Sequence, residues 1–93
     1  MTAPRRVLLV DDDNPLRESL KEQLDLQAEF IVSDAATGAS GLEKAKTELP
    51  DLIILDVGLP DLDGREVCRL MRKAGVRCPI IMLPGHDGEA DQI

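Results

Sequence analysis

A chain of 93 residues with a formal net charge of −7 has the size of one domain with a modest core, so residues 1–93 are expected to form a single unit with no room for a second domain. With 43% hydrophobic and 31% charged residues, one Phe and no Trp or Tyr, it reads as globular with an aliphatic core. The acidic balance argues against direct nucleic-acid binding, which needs Lys and Arg to displace phosphate counterions. No long apolar run follows the start MTAPRR, which argues against a membrane span or signal peptide and for a cytoplasmic protein.

In chain order, strand and helix patterns alternate. RRVLLV (Arg5–Val10) is an apolar first strand that runs into Asp11, Asp12 and Asp13. Asn14 suits an N-cap and Pro15 the first helical position, and the helix runs to about Gln27. Leu16, Leu20 and Leu24 recur every fourth residue, which predicts a surface helix with one buried stripe, while Arg17 and Glu18 lie elsewhere around its axis. Phe30–Ser33 has the composition of a short second strand. Thr37, Gly38 and Ser40 open a second helix that Pro50 ends.

Leu52, Ile53, Ile54 and Leu55 form a continuous apolar run, as for a strand buried on both faces, and end on Asp56 before Gly58 and Pro60 break the strand. Asp63, three residues before Glu66, resembles a capping box and opens a third helix whose stripe is Val67, Leu70, Met71 and Ala74, with Gly75 as its stop. Arg65, Arg69, Arg72 and Lys73 read as its solvated side. Pro79–Leu83 is a fourth apolar strand, broken by Pro84 and Gly85, and His86–Ile93 has room to begin a further helix. Cys68 and Cys78 form no CxxC pair and no His/Cys cluster offers a zinc site, so both are expected as buried free thiols, and the lone His86 as an exposed loop residue.

This order implies right-handed βαβ crossovers, a parallel sheet with helices on both faces, and neighbouring first and third strands. Their carboxyl ends bring Asp11, Asp12 and Asp56 into one pocket, at the edge of the sheet where α/β folds place their chemistry. Three close carboxylates repel, so the cluster needs protons or a cation, and magnesium suits an all-oxygen site. Asp56, on the central strand, is then the candidate nucleophile toward phosphorus, with Asp11 and Asp12 holding the metal. Asp13 is explained as well by the helix dipole. A dinucleotide site is disfavoured because no G-x-G-x-x-G follows the first strand. A magnesium-dependent phosphatase using Asp56 transiently lacks an evident general acid.

LLVDDD (Leu8–Asp13) with LIILDVGLPDLDG (Leu52–Gly64) resembles the receiver domain of bacterial response regulators, the phospho-accepting half of two-component signalling. The resemblance implies a flavodoxin-like, three-layer fold with sheet order 2-1-3-4-5. It implies that Asp56 accepts a phosphoryl group from a histidine kinase or phosphotransfer protein, and that Mg2+ is held by Asp11, Asp12, Asp56 and the backbone carbonyl of Gly58. Pro60 and Gly64 match the loop-shaping residues, and the kinase is expected to dock near Leu16–Leu26. Catalysis is limited to the domain's own aspartyl phosphorylation and dephosphorylation.

Two departures stand beside the match. Pro84 occupies the position where receivers carry a Thr or Ser that hydrogen-bonds the phosphoryl group, and proline has no hydroxyl and a fixed φ. The fifth strand with its Lys and the last helix of the family are missing after Ile93, so an incomplete sheet of order 2-1-3-4 is expected. The fourth strand would then be an apolar edge, which predicts a homo-oligomer that covers it. A degenerate receiver serving as an interaction or oligomerisation module without phosphotransfer is the alternative.

Overall fold

The computed structural model describes residues 3–84 and the backbone of residues 91–92. Strands β1 (Arg5–Val10), β2 (Phe30–Ala35), β3 (Leu52–Asp56) and β4 (Ile80–Leu83) alternate with helices α1 (Asn14–Asp25), α2 (Gly38–Glu48) and α3 (Gly64–Lys73). The four strands are parallel in the order β2-β1-β3-β4, the sheet that the βαβ pattern and the resemblance both imply. A two-residue strand β5 (Asp91–Gln92) lies antiparallel to β4, opposite Ile81 and Met82. Within residues 86–93, where a further helix was expected to begin, the two described residues are therefore strand. The edge expected to be open is occupied over those two register positions.

Alternation along the strands divides the sheet into two unlike faces. Leu8, Val10, Ile53, Leu55, Ile80 and Met82 are fully buried with Ala45 of α2 and Val67, Cys68 and Met71 of α3. On the other face Val7 and Leu9 of β1 are buried, but Ile54, Ile81 and Leu83 are only half-buried. Helix α1 explains the difference, because it packs chiefly over β2 and β1. The leucine stripe expected to be buried is not: no α1 residue is fully buried, and Leu16 is 44% exposed. Leu16 and Leu20 instead line a cavity of about 350 Å³ with Leu83 and Pro84.

Boundaries shift where a side chain captures a backbone group. Asp13, not Asn14, caps α1 by accepting from the Leu16 amide at 3.1 Å, and Pro15 falls one position later in the first turn. Asp63 caps α3 through the Arg65 amide at 2.8 Å. Glu66 does not complete a capping box, since both its oxygens are engaged by Arg69 at 2.5 and 3.0 Å. Arg72, expected on the solvated side, is half-buried and donates to the carbonyls of Val76 and Cys78, stitching α3 to the start of β4. Cys68 is buried and Cys78 half-buried, and both are free thiols.

Helix α2 approaches β1 closely because it carries a glycine there. A Cβ on Gly41 would stand 2.8 and 2.9 Å from the two methyls of Val10, inside van der Waals contact. Gly41→Ala is therefore expected to destabilise the protein by about 1–3 kcal/mol, as overpacking does in other cores, measured by urea denaturation.

Candidate functional site

The sheet register sets the site. Val10 pairs with Leu55, so Asp11, one residue on, lies beside Asp56, the last residue of β3. Asp56 in turn pairs with Leu83, the residue before Pro84. Both acids sit at the carboxyl ends of adjacent parallel strands and are almost wholly buried, Asp11 at 2% exposure and Asp56 at 4%. Each of Asp11, Asp12 and Asp56 offers a carboxylate oxygen, and these oxygens all lie within 4.8 Å of one another. The sequence-predicted cluster is assembled.

The three consecutive acids after β1 have separate surroundings. Asp11 accepts a hydrogen bond from the Asp13 amide at 2.9 Å, which closes the turn out of the strand. Asp13 is spent as the α1 cap. Asp12 has an oxygen, Oδ1, that is buried without a hydrogen-bond partner. An orphaned carboxylate oxygen among other carboxylates is costly unless a proton or cation reaches it.

The carboxyl groups register this crowding. Burial pushes Asp11 above the ordinary carboxylate value; the Asp13 amide opposes this, the charges of Asp12 and Asp13 add to it, and Arg17 opposes it. Burial likewise raises Asp56, with the Gly58 amide opposing and the Asp11 charge and adjacent Asp12 carboxyl adding. The Gly58 amide donates to Asp56 Oδ1 at 3.2 Å. An all-oxygen donor set with one oxygen unpartnered fits a hard divalent cation.

The loop after Asp56 is fastened at several points. The Gly64 amide donates to the Val57 carbonyl at 2.9 Å. A Cβ on Gly64 would lie 2.4 Å from the Asp56 carbonyl oxygen, so only glycine lets α3 start against the backbone of Asp56. Pro84 is half-buried and shares a cavity with Asp11, Asp56 and Leu83. His86 lies outside the described residues.

Two residues near the site were not legible in the sequence. Arg17, read as part of the polar side of α1, has a side chain only 12% exposed. Its guanidinium donates to the Asp34 carboxylate at 2.8 Å and to the Asp11 carbonyl at 2.7 Å, tying α1, β2 and the acid turn together. Asp61 accepts from the Gly38 and Ala39 amides at 2.8 and 3.0 Å. Both contacts are remote in sequence, so periodicity carries no sign of them. Among the described residues no helix is long and apolar enough to cross a membrane.

The response regulator receiver domain family matches residues 7–93. The chain is 42% identical over 89 residues to the alkaline phosphatase synthesis transcriptional regulatory protein PhoP of Bacillus subtilis, covering 96% of this chain and 37% of that protein. It is 39% identical over 90 residues to the response regulator MprA of Mycolicibacterium vanbaalenii, covering 97% of this chain and 38% of that protein. The chain thus spans just over a third of the length of these relatives.

Among solved structures, the signal receiver domain of the putative response regulator NarL from Mycobacterium tuberculosis superposes with a TM-score of 0.84 at 31% identity, over 94% of this chain and 71% of that one. A CheY-like receiver domain protein from Methanospirillum hungatei JF-1 does so with a TM-score of 0.84 at 32% identity, over 92% and 68%. Receiver domains are signalling domains that bind Mg2+ at an acidic pocket and interact with histidine kinases or phosphotransfer proteins. With its acids at two neighbouring strand ends and its match across residues 7–93, the chain belongs to the response regulator receiver domain family.

Proposed function

We propose that Asp56 accepts a phosphoryl group from the phosphohistidine of a partner kinase or phosphotransfer protein, with Mg2+ held by Asp11, Asp12, Asp56 and the Gly58 backbone carbonyl. The observation that carries this reading is the buried triad itself, with its oxygens within 4.8 Å and the Asp12 Oδ1 unpartnered. When bound, the cation neutralises charge on the transferring group. The chain's own residues do the positioning. The Gly58 amide orients the Asp56 carboxylate, and Gly64 keeps α3 tight against its backbone. A carboxylate oxygen of Asp56 forms the new P–O bond as the P–N bond to the donor imidazole breaks, and the bonding pair stays on the leaving nitrogen. The imidazole departs neutral with one N–H, either already on its other ring nitrogen or taken up from water.

Pro84 has no O–H to offer the phosphoryl group, so this acceptor works without the hydroxyl that the resemblance places at that position. Acid-quenched intact mass measurement after exposure to a small phosphodonor and magnesium is expected to show one phosphoryl group on the parent and none on Asp56→Asn. Equal gain on both proteins would remove Asp56 from the reaction. Pro84→Thr restores a donor to a charged group, a bond of about 1.5–3 kcal/mol, and should raise the initial rate of that gain about tenfold or more.

The pH dependence follows from the raised acids. Asp11 and Asp56 titrate above 3.8 in the folded chain, so the folded state binds protons that the unfolded state has released. Their protonation therefore favours folding at low pH, and that stability is lost as pH rises from the ordinary value through the raised ones. Asp61 and Glu66 are lowered and act oppositely, in the range below the ordinary carboxylate value. In chelator, melting temperature measured against pH should fall through the window above 3.8. Asp56→Asn should weaken that fall and melt higher than the parent at neutral pH.

A further inference from the structure

The loop that carries Gly58 is joined to a part of the fold that the acceptor chemistry does not otherwise use. Five residues after Asp56, the Asp61 carboxylate takes the first two amides of α2, from Gly38 at 2.8 Å and Ala39 at 3.0 Å. Helix α2 already has its own cap, since Thr37 accepts from the Ser40 amide at 3.1 Å. Asp61 thus satisfies the remaining amino-terminal N–H groups from a different segment. The approach is close by design of the sequence: a Cβ on Gly38 would lie 2.7 Å from Val67 Cγ2, 3.2 Å from Asp61 Oδ1 and 3.3 Å from Leu62 Cβ. The α2 terminus, the loop and α3 therefore meet at van der Waals contact. At its other end the same loop is held by the Gly64 amide on Val57 and by Gly64 against the Asp56 carbonyl.

We infer that Asp61 is a positioning residue for the Asp56 site: its carboxylate latches residues 57–63 to the amino terminus of α2 and so sets where Gly58 stands relative to Asp56. The inference rests on the acceptor reading above and adds a residue that lies outside the acid cluster. Asp61 is itself exposed and touches no member of the acid cluster through the bonds it makes. Its effect runs through the loop, as the partners behind metal ligands act elsewhere.

Three proteins test it: the parent, Asp61→Ala, which removes both acceptor oxygens, and Asp61→Asn, which removes the charge and keeps one of the two oxygens that the α2 amides use. In metal-free protein, hydrogen exchange at the Gly58 and Gly64 amides is expected to be fastest in Asp61→Ala and intermediate in Asp61→Asn, which keeps one of the two latch bonds. Calorimetric titration should find magnesium bound about tenfold more weakly by Asp61→Ala, with a smaller loss in Asp61→Asn.

If only the Gly38 and Ala39 amides exchange faster in Asp61→Ala, with magnesium affinity unchanged, Asp61 is a helix cap and the latch is overturned. Equal loss of affinity in both variants, with exchange at Gly58 and Gly64 parent-like in both, assigns the effect to charge and overturns it too. A parent that binds no magnesium overturns the acceptor reading, and this assignment with it, whereas a parent that binds as expected isolates any failure to the latch.

Discussion

Burial of like charge at two neighbouring strand ends is the constraint on which this structure turns. Parallel pairing of β1 with β3 brings Asp11 and Asp56 to one height, where both are nearly wholly buried, and Asp12 adds a third carboxyl with an unpartnered oxygen. A folded chain would not keep such a cluster for stability, because desolvation and mutual repulsion both oppose ionisation. The rest of the sheet supplies the compensation. Leu8, Val10, Ile53, Leu55, Ile80 and Met82 form a continuous apolar layer against α2 and α3, so the cost at the strand ends is carried by a core that lies directly beneath them.

Around the cluster, acids and one arginine act as fasteners rather than as reactants. Asp13 caps α1, Asp63 caps α3 and Asp61 engages α2, so each helix begins on a carboxylate at the site's end of the sheet, where the macrodipole favours negative charge. Arg17 joins Asp34 to the Asp11 carbonyl. Several of the acids at this end are thereby used in defined hydrogen bonds. The carboxyls of the triad instead crowd one another, with the Asp12 Oδ1 buried and unpartnered.

The sheet and its acid cluster were readable in advance because they depend on local patterns. Apolar runs that end on acids mark Arg5–Val10 and Leu52–Asp56 as strands, and the strand order that the receiver resemblance implies makes them neighbours. The roles of Arg17 and Asp61 were not readable, because each is defined by a partner from another element, Asp34 and Gly38. The α1 stripe shows the limit of periodicity: Leu16, Leu20 and Leu24 have helical spacing, yet Leu16 and Leu20 face a cavity beside Leu83 and Pro84. Periodicity states which residues share a face, and packing decides whether that face is covered. Asp13 and Asn14 illustrate a finer ambiguity, since both are good caps and only the backbone path out of β1 selects the first.

The triad is stable only with its charge neutralised, by protons or by a cation at the same oxygens. Proton release on magnesium binding measures this directly. Calorimetric titration in buffers of different ionisation enthalpy should show saturable binding of one ion accompanied by proton release that grows as pH is lowered toward the raised values of Asp11 and Asp56. Binding with no linked proton release at any pH, or heat indistinguishable from that of a protein with Asp12→Ala, would contradict it.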